Sequence, residues 1–258
     1  MTSLRFFGTL TIVLTGRPRA VRELAELWAP FVTGGEGPEV ATAETQAVRA
    51  DDPAAASAEL NRAVVEACPF PAVHAGVVLL GEGAVALPAT SGAGKSTLVT
   101  ALCRAGAGYL SDEALVLTPD GAALPYPKPV ALSPESLAAV CLAPPGGGVT
   151  DGTGAPGHGA GEREYLLPAA ALGRAAEGPV PVRHVVLACR DPRSTGVALD
   201  PVPRRHGLAA LLTLGFNHHR APARFLTAAA AAVAGATVWR LRYGDARRAA
   251  TTMTDVLP

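Results

Sequence analysis

A chain of 258 residues, 49% of them hydrophobic and 17% charged, has enough apolar material for a packed core, which excludes wholesale disorder. Its length suits one domain of about 180–200 residues with a smaller flanking piece. The 22 basic and 22 acidic side chains cancel, so there is no basic field for nucleic-acid phosphates and no polybasic segment for an anionic membrane.

In chain order, residues 4–14 read as a strand. The apolar stretch from Phe6 to Leu14 is broken by Gly and Thr and followed by Arg17-Pro18-Arg19, which argues against a signal peptide. Val21, Leu24, Leu27 and Trp28 recur at helical spacing and predict a helix over 21–31. Residues 33–57 read as a long loop or an exposed strand near Val40, and 58–68 as a second helix. An N-terminal α+β piece is therefore expected over 1–68, with the main domain over 69–258.

The pattern changes at His74. The apolar runs His74–Leu80 and Ala84–Pro88, joined by Gly81-Glu82-Gly83, predict a β-hairpin. A Gly-rich segment and a helix over 96–105 follow. Tyr109-Leu110 and 114–117 read as strand, interrupted by Ser111-Asp112-Glu113. A turn at 119–121, a strand at 130–132 and a helix opened by Ser133-Pro134-Glu135 come next. Residues 144–161 are rich in Gly and Pro and predict a mobile loop, either a lid or a simple linker. A buried strand over 182–189, helices over 206–214 and 221–233, a strand over 237–242 and a helix over 245–256 complete the chain. No run approaches the ~20 apolar residues of a membrane helix.

Residues 89–96 read Ala-Thr-Ser-Gly-Ala-Gly-Lys-Ser. Gly94, Lys95 and Ser96 match the end of the G-x-x-x-x-G-K-[ST] phosphate loop, with Ala89 in place of its first Gly. The residue types suit the chemistry. Gly92 and Gly94 let the backbone curl so that successive amides face a polyphosphate, and the following helix adds its N-terminal partial charge. Lys95 can reach the β- and γ-phosphates, and the Ser96 hydroxyl can ligate Mg²⁺. The segment Thr90, Ser91, Gly92, Ala93, Gly94, Lys95, Ser96 and Thr97 is the expected nucleotide site. Lysine is rare here: of 22 basic residues only Lys95 and Lys128 are Lys, so each hints at a task that Arg does not fill.

Asp112 and Glu113 stand at a strand end after the loop and its helix, where a carboxylate can hold Mg²⁺ or accept a hydroxyl proton. His74 opens the hairpin, and strand pairing brings it beside Ala89. Lys128 lies in the rigid Pro125–Pro129 segment, where it contacts nucleotide or substrate or is only a surface residue. Asp191, after Arg190, is the alternative metal acid. His218-His219-Arg220 reads as a solvated turn, Arg163 as a phosphate clamp or a plain loop residue, and Trp28 and Trp239 as core. Cys68, Cys103, Cys141 and Cys189 lie far apart without metal spacing, and predict reduced, mostly buried thiols in a cytoplasmic protein.

The order Val73-His74, hairpin, phosphate loop, helix, then Tyr109-Leu110-Ser111-Asp112-Glu113 resembles the catalytic domain of HPr kinase/phosphorylase and its shorter relatives, sharply over 73–117. That resemblance implies an α/β fold with the mixed-sheet P-loop kinase core of the HPr kinase and phosphoenolpyruvate carboxykinase type. It implies ATP and Mg²⁺, with His74 supporting an acid pair in which Asp112 and Glu113 share the roles of general base and metal partner. The region after Leu132 departs from the HPr-specific signature, so HPr itself is not implied as substrate. Some short relatives phosphorylate Ser on ribosomally made precursor peptides, lasso peptides among them. The expected function is γ-phosphoryl transfer to a Ser/Thr hydroxyl of a peptide or small protein. A small-molecule kinase, for instance for free serine, and a nucleotide-binding regulatory module are the alternatives, and a homo-oligomer stays open.

Overall fold

A computed structural model describes residues 2–33, 44–144, 149–151, 163–173 and 176–257. Thr2–Phe6 (β1) and Leu10–Thr15 (β2) pair antiparallel. The single strand expected over 4–14 is therefore a hairpin: Phe7 and Gly8 take φ of 51° and 71°, a left-handed pair that reverses the chain. Pro18–Leu27 (α1) starts at a proline, which suits the first helical turn. Glu44–Arg49 (β3) lies parallel to β2; the strand expected near Val40 falls outside the described residues. Pro53–Ala67 (α2) starts earlier than the apolar periodicity suggests, because Asp52 caps it by accepting from the Ala54 and Ala55 amides.

The hairpin follows as Ala72–Leu80 (β4) and Gly83–Pro88 (β5), then Lys95–Arg104 (α3). Gly108–Ser111 (β6), Ala114–Leu117 (β7), Ala123–Leu124 (β8) and Val130–Leu132 (β9) precede Pro134–Ala139 (α4). Val149–Asp151 (β10) and Arg163–Leu167 (β11) come next. Most of the 144–161 segment expected to be a mobile loop lies outside the described residues, as does the Arg163 side chain. Val182–Arg190 (β12), Val197–Pro201 (β13), Arg204–Thr213 (α5), Pro222–Ala234 (α6), Thr237–Tyr243 (β14) and Ala246–Val256 (α7) finish the chain.

The protein is a mixed α/β fold that divides into two compact units. The first comprises Met1–Pro69, Lys128–Pro134 and Pro144–Ala171. It carries the sheet β1-β2-β3 and the sheet β10-β11-β9. Leu4, Phe6, Ile12, Trp28 and Leu60 are fully buried in it, and the Trp28 indole donates to Ser57 Oγ at 3.0 Å. Trp28 is thus core, as expected.

The second unit, Phe70–Pro127, Glu135–Ala143 and Leu172–Pro258, is built on an eight-stranded mixed sheet. Its order is β13-β14-β12-β5-β4-β7-β8, with β6 paired to β4. The strands β5, β12 and β14 run parallel and their neighbours antiparallel. The alternation of side chains along β4 divides the helices. Val73, Ala75 and Val77 join Leu211 of α5 and Phe225, Ala228 and Ala232 of α6 in the core, whereas Gly76 faces Val99 of α3. Trp239, expected in the core, is only half-buried, and its indole donates to His184 Nδ1 at 3.2 Å. The expectation of mostly buried thiols is corrected: Cys141 and Cys189 are exposed, Cys141 just past the end of α4 and Cys189 next to the last residue of β12, where element ends meet solvent. No helix among the described residues is long and apolar enough to cross a membrane.

Asn217 ties the segment after α5 to the start of β4. Buried, it accepts from the Ala72 amide at 3.0 Å and donates to the Phe70 carbonyl at 2.8 Å. Asn217→Ala would leave the Ala72 amide without this partner, and a buried unsatisfied polar group costs about 1–3 kcal/mol. The variant should lower the stability of the second unit by about 2–3 kcal/mol. Urea unfolding monitored by tryptophan fluorescence checks this, and an unchanged midpoint would refute it.

Candidate active site

The phosphate-loop segment lies between β5, whose six residues are all buried, and α3. Its entry is pinned by the hairpin, where the Ala89 amide bonds the His74 carbonyl at 3.4 Å. Gly92 and Gly94 have φ of 77° and 84°. A side chain at Gly92 would meet nothing within 4 Å, so conformation rather than space requires glycine there. Gly94 forms the N-cap of α3, and its carbonyl accepts from the Leu98 amide at 3.0 Å. Ala89, in place of the pattern's first Gly, is accommodated without positive φ.

Lys95 is 9% exposed, and its ammonium folds back to donate to the Thr90 carbonyl at 3.0 Å. The loop thus closes on its own lysine, with Thr90, Ser91 and Gly92 exposed at its crest and Ala93 half-buried. Thr97 turns toward α4, donating to Ser136 Oγ at 2.9 Å.

The acids lie next to this loop. Ser96 Oγ donates to Asp112 Oδ2 at 2.8 Å, and the buried Tyr109 hydroxyl donates to Asp112 Oδ1 at 3.0 Å. Asp112 is 4% exposed. The tight turn between β6 and β7 is held by Ser111 Oγ, which accepts from the Glu113 and Ala114 amides at 3.1 and 3.0 Å. Glu113 is less buried than Asp112 and faces His74, with Oε1 3.6 Å from Nε2. His74 packs on Phe216, ring centroids 5.2 Å apart, and its amide bonds the Leu214 carbonyl at 2.8 Å. The structure therefore brings together Lys95, Ser96, Asp112, Glu113 and His74, all selected from the sequence.

Burial and negative charge dominate the electrostatics. Burial first, and the nearby Asp112 second, push the Cys103 thiol up to about 12. Burial also raises Tyr109 well above the usual phenol range, with Asp112 adding to it. Tyr109 thus stays a neutral donor to the carboxylate. Among the described residues no group of three or more His, Cys, Asp or Glu clusters as a metal site. The paired Ser96 hydroxyl and Asp112 carboxylate are nevertheless hard oxygen donors of the kind Mg²⁺ accepts, because it takes its remaining ligands from phosphates and water.

Three participants were not selected from the sequence in these roles. Tyr109 is the second partner of Asp112, signalled only by its position three residues earlier. Arg190 and Tyr243, at the carboxyl ends of β12 and β14, flank the loop: a Cβ on Gly94 would lie 3.7 Å from Arg190 Cδ and 3.6 Å from the Tyr243 hydroxyl. Burial raises the Tyr243 hydroxyl, and the Arg190 charge opposes that shift. Only the parallel order β5-β12-β14 gathers these strand ends.

The other candidates make local contacts instead. Asp191, the alternative metal acid, is exposed and accepts from the Arg193 amide at 3.0 Å in a local turn. Lys128 belongs to the first unit, where its ammonium donates to the Pro129 carbonyl at 2.9 Å. His218 and His219 are exposed in a turn, with His218 Nδ1 2.9 Å from the Gly215 carbonyl oxygen. Comparison of the chain with protein-family models, with curated proteins and with solved structures finds no match.

Proposed function

We propose that the second unit is a P-loop kinase core that binds ATP along residues 90–97 and transfers its γ-phosphoryl group to a Ser or Thr hydroxyl of a peptide or small protein. The observation that carries this is the Ser96–Asp112 contact of 2.8 Å at the foot of a loop closed by a buried lysine. A plain glycine turn has no need of a carboxylate brought to the first turn of the helix, nor of a desolvated ammonium. The resemblance to HPr kinase-like proteins points the same way.

In this reading each residue has a distinct task. The loop amides and Lys95 neutralise phosphate charge and hold the γ-phosphorus in line. Ser96 and Asp112 would hold Mg²⁺, which on binding offsets charge on the β- and γ-phosphates. Glu113 is the general base: it accepts the proton of the acceptor hydroxyl as the new oxygen–phosphorus bond forms and the bond to the β,γ-bridging oxygen breaks. His74, next to Glu113, orients that carboxylate and the Phe216 ring holds the imidazole. Asp112, buried and already receiving two hydroxyl donors, is the poorer base.

The test is incubation of the full chain with γ-labelled ATP, Mg²⁺ and candidate peptides rich in Ser and Thr, read by the mass shift of one phosphate. Phosphopeptide supports the reading; label found only on free serine or another small hydroxyl compound moves it to a small-molecule kinase. ATP binding without transfer or hydrolysis would leave a regulatory module. Arg190→Ala should raise the KM for ATP about tenfold with a smaller change in kcat, as expected for loss of one charge-assisted phosphate contact. An unchanged KM would remove Arg190 from the site.

A further inference from the structure

A cleft of about 590 Å³ opens near the carboxyl ends of β5 and β12, beside the start of the phosphate loop. Ala89, Leu187 and Leu214 give it apolar surface. Arg240 and Arg242, exposed and two residues apart on β14, also line it, and among the described residues no acidic side chain does. Asp200 stands opposite Arg240 in the β13–β14 register, yet its carboxylate pairs with Arg242 at 3.1 Å. Among the described residues Arg240 has no acidic partner, so two guanidinium groups share one carboxylate. We propose that this cleft docks the acceptor, a peptide segment that carries Asp or Glu about four residues from the Ser or Thr to be phosphorylated.

Glu113 is the base in the proposed transfer, and this docking site rests on that reading. Two lining residues join the cleft to the base. The Ala89 amide bonds the His74 carbonyl at 3.4 Å, and the Leu214 carbonyl accepts from the His74 amide at 2.8 Å. His74 Nε2 in turn lies 3.6 Å from Glu113 Oε1. A chain lying in the cleft therefore reaches the residue that Glu113 faces. In the sheet order β14-β12-β5-β4, three strand steps separate the arginines from the strand of His74. At about 4.8 Å per step this is roughly 14 Å, which an extended peptide covers in about four residues.

The lining suits this occupant. A guanidinium presents a planar fork that matches a carboxylate, and the acid of the acceptor supplies the partner that Arg240 lacks. Leu187 and Leu214 offer apolar contact to the residues between that acid and the hydroxyl. A basic segment in the same place would meet two like charges and be disfavoured. The chain as a whole is neutral, so the preference comes from where these arginines stand and not from net charge.

The test is phosphorylation, by the full chain with Mg-ATP, of a peptide library that holds one Ser between randomised positions, with the phosphopeptides captured and sequenced. Asp and Glu should be enriched about fivefold near the fourth residue from Ser, the scale of an exposed ion pair, with Lys and Arg depleted. The enrichment should fade at high salt. Arg240→Glu should reverse the preference and Arg240→Lys should keep it, with the affinity for ATP unchanged in both. Phosphopeptides without acidic enrichment, or with the same enrichment in Arg240→Glu, overturn the docking site and leave the kinase reading standing. A library left unphosphorylated by protein that still binds ATP overturns peptide transfer and the docking site together. Cys189, exposed in the cleft, gives a readout without turnover. The Ser form of the most enriched peptide should protect it from iodoacetamide and ATP should not, read by mass spectrometry. Protection by ATP and not by the peptide gives the cleft to the nucleotide and refutes the proposal.

Discussion

Lys95→Ala is expected to lower phosphoryl transfer by about three orders of magnitude, the scale on which single charge-stabilising donors act in such reactions. The ammonium is buried and bonded across the loop to Thr90, so it is already desolvated and oriented before any ligand arrives. A triphosphate entering the loop would compete for the ammonium now bonded to the Thr90 carbonyl. Alanine removes the charge without adding bulk, and loss of binding with an unchanged thermal midpoint would mark the effect as local. Lys95→Arg should fail as well, because a planar fork does not fit a loop closed around a point charge. Transfer at the wild-type rate in either variant would end the phosphate-loop reading.

Asp112→Asn carries the second large effect. Transfer should drop about 10²–10³-fold, with partial rescue at high Mg²⁺, because a hard anionic ligand is replaced by a neutral amide. Glu113→Gln should instead preserve Mg-ATP affinity and lose rate. If Asp191→Asn abolishes transfer and Asp112→Asn does not, the metal acid is Asp191, just past the end of β12. Asp112→Asn has a further readout that does not depend on activity. Burial is the larger cause of the raised Cys103 thiol and the Asp112 charge the smaller. The Cys103 pKa should therefore fall below about 12 in this variant while staying above its ordinary 9.0, measured as thiolate absorbance against pH with Cys68, Cys141 and Cys189 replaced by serine. No movement at all would mean that Asp112 does not act on Cys103.

The two acids share one short turn, yet their surroundings separate them. Ser111 caps the turn from within, so Asp112 points inward to Ser96 and Tyr109 while Glu113 meets His74. Nothing in the sequence Ser-Asp-Glu distinguishes the two carboxylates. Only the packing of β6 and β7 against β4 gives one of them a buried, twice-bonded place and the other a histidine neighbour. The proposed roles of Glu113 as base and Asp112 as metal partner, open from the residues alone, rest on that difference.

Local chemistry wrote much of this molecule into the chain. The hairpin of β4 and β5, the glycines that need left-handed backbone, the helix opening at Lys95 and the acids at a strand end all depend on residues within about ten positions of one another, and such short-range preferences are legible in order. Asp52, Pro18 and the Phe7–Gly8 pair are equally local, and moved element ends by a few residues from the apolar periodicity alone. The tertiary structure alone decided what distant segments share. The sequence does not reveal that β12 and β14 lie beside β5, because strand order is set by which apolar faces the helices α5, α6, α3 and α7 cover together. That order brings Arg190 and Tyr243 to Gly94, and sets Arg240 and Arg242 along a cleft at the loop. Side-chain surroundings decided the remainder: the charges of Lys95 and Asp112 are as plain in the sequence as those of Lys128 and Asp191, but Lys95 closes the loop on Thr90 and Asp112 receives the Ser96 hydroxyl, whereas Lys128 bonds the Pro129 carbonyl and Asp191 accepts from the Arg193 amide in a local turn.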